Sequence, residues 1–112
     1  MNHWKCAIIE SPYKGETEKN LAYLQRCILD CISRQEAPFA SHQMYTSALD
    51  DQIEEQRALG IEAGLAWRNK ADLIVFYVDY GWSTGMNLAK EKYDTEGIEY
   101  VIREIGPNPA AT

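Results

Sequence analysis

Six consecutive apolar residues, Leu73-Ile74-Val75-Phe76-Tyr77-Val78, constrain this chain more than any other feature. A strand that is apolar on both faces belongs in the middle of a parallel sheet, with helices covering it from either side. At 112 residues the chain has room for one such sheet and one small domain. Its apolar content of 46% and charged content of 25% match an ordinary globule and exclude a disordered chain. The same six-residue stretch is the longest apolar run, far short of the roughly 20 residues that span a membrane. The start, Met1-Asn2-His3-Trp4-Lys5-Cys6, lacks a secretory pattern, so a cytoplasmic location is expected.

The flanking segments fit this frame. Lys5–Glu10 reads as a short buried strand ending at Ser11-Pro12. Leu21, Leu24, Ile28, Cys31 and Ile32 recur at helical spacing and predict a helix over about 16–35. Pro38-Phe39-Ala40-Ser41 reads as a second strand, followed by a polar loop and a helix over about 51–69. In that helix Gly60 and Gly64 suggest a close approach to a neighbouring element. A glycine-bearing turn, residues 79–85, leads to a third helix carrying Met86, Ala89 and Tyr93 on one face. Ile98–Ile102 supplies the last strand. The alternation β-α-β-α-β-α-β predicts an α/β fold. Its expected form is a small Rossmann/flavodoxin-like three-layer domain, with a four-stranded parallel sheet in the order 2-1-3-4. Residues 1–106 form this single domain, and 107–112 read as a frayed tail.

A net charge of −6 argues against nucleic acid as a partner, although loop amides and helix N-termini can still hold a small anion. The three cysteines, Cys6, Cys27 and Cys31, show no CxxC pair and read as buried, reduced thiols. With only His3 and His42 to complement them, no metal site and no cofactor are expected.

In an open α/β sheet a ligand binds beyond the carboxyl ends of the strands, where the strand order reverses. Here that point lies between the first and third strands. The loops 11–15 and 79–85 meet there, with 41–51 closing the side. The candidate ligand-binding residues are therefore Ser11, Pro12, Tyr13, His42, Tyr45, Asp50, Asp79, Gly81, Ser83, Gly85 and Met86. Ser83-Thr84-Gly85 opens the third helix, where free amides suit a phosphate or carboxylate; Ser83 as a simple helix cap is the plainer alternative. Asp50-Asp51 offers two ribose ligands, or a turn in which Asp51 caps the second helix.

Taken in order, the Ser11-Pro12-Tyr13 loop, Pro38-Phe39-Ala40-Ser41-His42, Leu49-Asp50-Asp51, Ala71-Asp72-Leu73-Ile74-Val75 and Asp79 through Ser83-Thr84-Gly85-Met86 resemble the nucleoside 2-deoxyribosyltransferase-like family. Within it they are similar to a small branch found in phage and prophage genomes. The likeness runs from about Cys6 to Ile105. It implies a pocket for a nucleotide-type molecule, with Ser83 on a 5′-phosphate and Tyr13 on the ligand. Enzymes of the family use a glutamate four residues after the turn glycine to break an N-glycosidic bond; that position here is Ala89. A methyl group cannot act as that nucleophile. Glu91 is rotated to another side of the helix. The candidate catalytic carboxylates are Asp79 at the strand end, Glu62 near a position where the resemblance implies an acid (or simply on a solvated helix face), and a carboxylate from a neighbouring subunit.

Two outcomes follow from the resemblance. One is binding without turnover, for which sequestration of a nucleotide second messenger of host antiphage defence, in a bacterial or phage-infected cytosol, is the implied use. The other is an N-glycosidase or deoxyribosyltransferase acting on a (deoxy)nucleoside monophosphate. A homo-oligomer is also expected, with ligand sites near a contact made by Trp67, Trp82 or the second helix, because a chain this short encloses little on its own.

Overall fold

The computed structural model describes residues 3–13, 15–40, 44–45, 47–50 and 52–107. Among them, strands β1 (Lys5–Glu10), β2 (Glu36–Phe39), β3 (Leu73–Tyr77) and β4 (Val101–Arg103) alternate with helices α1 (Thr17–Ser33), α2 (Glu54–Ala66) and α3 (Thr84–Glu96). The sheet is parallel throughout and ordered β2-β1-β3-β4. This is the Rossmann-like α/β architecture that the apolar run at 73–78 implies.

Alternation along the two central strands builds the two faces. Ile9, Val75 and Tyr77 point to one side and bury Tyr23, Leu24, Cys27 and Cys31 of α1. Ile8, Ile74 and Phe76 point to the other and bury Met86 and Tyr93 of α3, with Leu65 of α2 at the margin. Phe76 anchors that side through close ring contacts with Trp82, Tyr93 and Tyr100.

The edge strands depart from expectation. β2 begins two residues earlier than its hydropathy suggests, at Glu36. Both Glu36 oxygens accept from the Arg103 guanidinium at 2.7 Å, which draws a charged residue into the sheet. Gln35, at a left-handed φ of 59°, turns the chain from α1 into β2 within two residues. Pro38 is tolerated because β2 is an edge strand paired on one side only. β4 starts three residues later than expected. Gly97 ends α3 in a left-handed conformation, and Ile98 and Tyr100 then cover the Phe76 cluster instead of pairing in the sheet.

Cys27 and Cys31 are buried as free thiols, and burial pushes Cys27 up to about 12. Cys6 is exposed, contrary to expectation, because burial in β1 begins only at Ala7. Among the described residues no helix is long and apolar enough to cross a membrane. Gly106 is held on both sides, its N–H on Asp79 and its carbonyl on Arg26. The tail expected over 107–112 lies outside the described residues from 108 onward.

Candidate functional site

A cavity of about 830 Å³ opens where the carboxyl ends of β1 and β3 diverge, between α2 and α3. Its α2 wall is a helical stripe: Gln56, Arg57, Gly60, Ile61, Gly64 and Leu65. The α3 wall is a second stripe running from Thr84, Gly85 and Met86 through Leu88 and Ala89 to Lys92 and Tyr93. Glu10, Ser11, Tyr13 and Gly15 contribute from the end of β1, Tyr45 and Leu49 from the segment before α2, and Trp82 and Ser83 from the turn after β3.

Each wall has a local reason for its shape. Ser83 caps α3 by accepting the Met86 N–H at 3.2 Å, the plainer role weighed for it, and the same hydroxyl keeps its proton to donate. The first amides of a helix have no intrahelical acceptor, which places those of Thr84 and Gly85 at the cavity wall. The loop after β1 is tied down by Asn20, whose amide donates to the Tyr13 carbonyl at 3.1 Å. Tyr45 receives the Trp67 indole N–H at 2.9 Å, which fixes it to the far end of α2. Gly60 lies opposite Leu49 and Tyr45, the close approach its position suggested.

Of the residues singled out in the sequence, Ser11, Tyr13, Tyr45, Ser83, Gly85 and Met86 gather on this wall. Pro12 is buried beside it but does not line it. Gly81, at φ 84°, sits at the turn after β3, where its N–H closes back on Val78. Asp50 does not face the cavity. Its carboxylate accepts the Gln52 N–H at 2.9 Å, forming the turn that precedes α2, whose cap position is Ile53. Ser41, His42 and Asp51 lie outside the described residues.

Both candidate catalytic carboxylates are placed elsewhere. Glu62 is exposed and falls off the α2 stripe. Asp79 turns toward α1, accepting from the Tyr23 hydroxyl and from the amides of Ile105 (3.0 and 3.1 Å) and Gly106 (2.9 Å). Burial raises its pKa, but these donors outweigh burial and hold the carboxyl below its ordinary value. Asp79 is a structural clamp. Ala89 does line the cavity, and Glu91 does not. Trp82, expected at the surface, is half-buried against Phe76, whereas Trp67 is exposed.

Three charged residues of the wall escaped the sequence reading: Glu10, Arg57 and Lys92. Glu10 closes β1 on the α3 side, and its Oε1 accepts the Tyr93 hydroxyl at 3.0 Å. Burial pushes its carboxyl from 4.5 up to about 7, although the Tyr93 bond works in the opposite direction. A carboxylate closing an apolar strand whose end meets the switch point was the available signal. Among the described residues no group of three or more His, Cys, Asp or Glu could hold a metal ion.

Residues 5–103 match a family described as a domain of unknown function, DUF7768, and the chain belongs to that family. No curated protein matches it. No solved structure does either.

Proposed function

We propose that this domain binds a small nucleotide-type molecule in the cavity between α2 and α3, with the phosphate toward the start of α3. The observation that carries this reading is a local inversion of charge. A chain with a net charge of −6 lines its cavity with Arg57, Lys92 and a helix N-terminus, against Glu10 as the one acid among the described lining residues. Tyr13, Tyr45 and Trp82 add aromatic surface suited to a base, and the volume falls within the roughly 300–1,000 Å³ typical of small-molecule sites. The resemblance to nucleoside 2-deoxyribosyltransferases supports the same ligand class, since its motif residues Ser11, Tyr13, Ser83, Gly85 and Met86 share this wall.

With Ala89 at the position of the family's nucleophile, the reading is capture without turnover, as a protein that sequesters a nucleotide messenger requires. A second reading, cleavage or exchange of the N-glycosidic bond of a (deoxy)nucleoside monophosphate, is favoured by one observation: the Glu10 carboxyl in the wall. Incubation with a nucleotide panel, followed by denaturation and chromatography, separates the two. Recovery of intact nucleotide supports binding; release of free base overturns it in favour of the enzyme.

Self-association belongs to the same reading. The α2 helix has no fully buried residue, and Leu59, Ile61 and Trp67 on or beside it are exposed. A second copy over α2 would cover them and narrow the mouth of the cavity. Light scattering that reports a 12.8 kDa particle with and without nucleotide would remove this part of the reading.

A further inference from the structure

We propose that Glu10 enters the ligand complex as the neutral acid, so that the cavity takes up its anionic ligand together with one proton. This inference rests on the nucleotide reading above and specifies how that site recognises charge.

The geometry is direct. Glu10 is the last residue of β1, in register with Phe76 of β3, and it projects to the side of the sheet that carries the cavity. Among the described residues only its Oε1 is bonded, to the Tyr93 hydroxyl, and Oε2 has no partner. The charged and titratable groups around the same cavity are Lys92 and Tyr93 from α3, Arg57 from α2, Tyr13 from the loop after β1 and Tyr45 from the segment before α2. A phosphate in this space shares the cavity with two cations and one carboxyl. As a carboxylate, Glu10 repels it. As an acid, Glu10 offers an O–H, the donor that forms short, charge-assisted bonds to phosphate oxygens.

Burial has already brought the carboxyl to the balance point, since it titrates near 7 in the free protein. A second negative charge nearby raises it further, so binding draws in a proton. Affinity then falls as pH rises through 7, by up to roughly tenfold per unit until the higher pKa of the complex is reached. Below about 6 the ligand's phosphate loses its own second charge, so binding is tightest between about 6 and 7.

Calorimetry with the four 2′-deoxynucleoside 5′-monophosphates tests this, at pH 6.5 and 8.5 in buffers of differing ionisation enthalpy. The expected result is uptake of close to one proton at pH 8.5 and a Kd at least roughly tenfold weaker there than at pH 6.5. Glu10→Gln keeps the shape and the acceptor for Tyr93 but cannot titrate. It should bind with no proton uptake and a nearly flat pH profile. Tyr93→Phe removes the bond that favours the charged form, so the midpoint of the profile should move upward, a displacement that simple loss of packing does not produce. Binding with no proton uptake, or a profile unchanged in Glu10→Gln, overturns the inference and leaves the nucleotide reading standing. No binding of any of the four at either pH overturns both.

Discussion

The two faces of the sheet treat their carboxylates in opposite ways. On the α1 face, Glu36 and Asp79 are each held by several donors, and both sit below their ordinary pKa. Arg103 grips Glu36 through two hydrogen bonds and also reaches the Tyr77 hydroxyl, which donates in turn to Asp30. On the α2–α3 face, Glu10 has one hydroxyl for a partner and sits above its ordinary value. On the first face these carboxylates are satisfied by donors from the protein itself, as buried polar networks must be if they are to stabilise. The second leaves a cavity, with Tyr93 the one hydrogen-bond partner of Glu10 among the described residues. A parallel sheet covered on both sides can thus hold its carboxylates tightly in one layer and leave room for a cavity in the other.

The most damaging test of this contrast is Arg103→Met. It leaves Glu36 buried without its counter-charge and should cost about 3–5 kcal/mol in urea unfolding, a large share of a small domain's stability. A loss below about 1 kcal/mol would mean the network is not what holds β2 and β4 to the sheet. Asp79→Ala comes next: it strands the Tyr23 hydroxyl and two backbone amides, for an expected loss of about 2–3 kcal/mol with nucleotide binding intact. Equal loss of binding at unchanged stability would return Asp79 to the site.

The contrast also fixes a sign. Glu36 and Asp79 have depressed values, so their contribution is present at neutral pH and is lost as the solution is acidified through the carboxylate range. Glu10 behaves oppositely. Its folded-state pKa is raised, so its burial becomes costly as pH climbs from 4.5 toward 7 and stays so above. Glu10→Gln should therefore add about 3 kcal/mol at pH 8 relative to its effect at pH 4, measured by denaturation at the two values. Gly85→Asp sharpens the comparison differently. No atom crowds a side chain at Gly85, so the fold should be almost unaffected, while nucleotide binding measured by calorimetry is abolished. The smallest effect is expected from Gly60→Ala. Its new methyl would meet Leu49 at 3.4 Å, an ordinary contact, and a helix-interior glycine should yield about 0.5–1 kcal/mol in a thermal melt.

What the sequence made legible follows the range of the interactions involved. β1, β3 and their helices could be read because burial on both faces is written into consecutive residues such as Ile8-Ile9 and Ile74-Val75-Phe76. The strand order followed from topology, and so did the region where Ser11, Tyr13 and Ser83 meet. The edges were misjudged because Glu36 enters the sheet for the sake of Arg103, 67 residues away. Asp79 was misread for the same reason: an acid just after a central strand resembles a ligand contact until Tyr23 and Ile105 are seen to converge on it. Arg57 and Lys92 are indistinguishable from solvated helix positions until the packing of α2 and α3 decides which stripe faces the cavity.

The clamp at Asp79 also bears on how the chain comes into being on the ribosome. Its donors include the amides of Ile105 and Gly106, and Arg26 of α1 reaches the carbonyl of the same glycine at 2.7 Å. These bonds join the first helix and the central strand to residues 105 and 106, so they form only after those two residues have been made. A nascent chain stalled at residue 104 carries a sheet whose Asp79 and Arg26 lack these partners and whose Arg103 has only just arrived. Vectorial synthesis therefore leaves these particular bonds unmade after all four strands exist, and a truncation at residue 103 would hold the protein in that unfinished state.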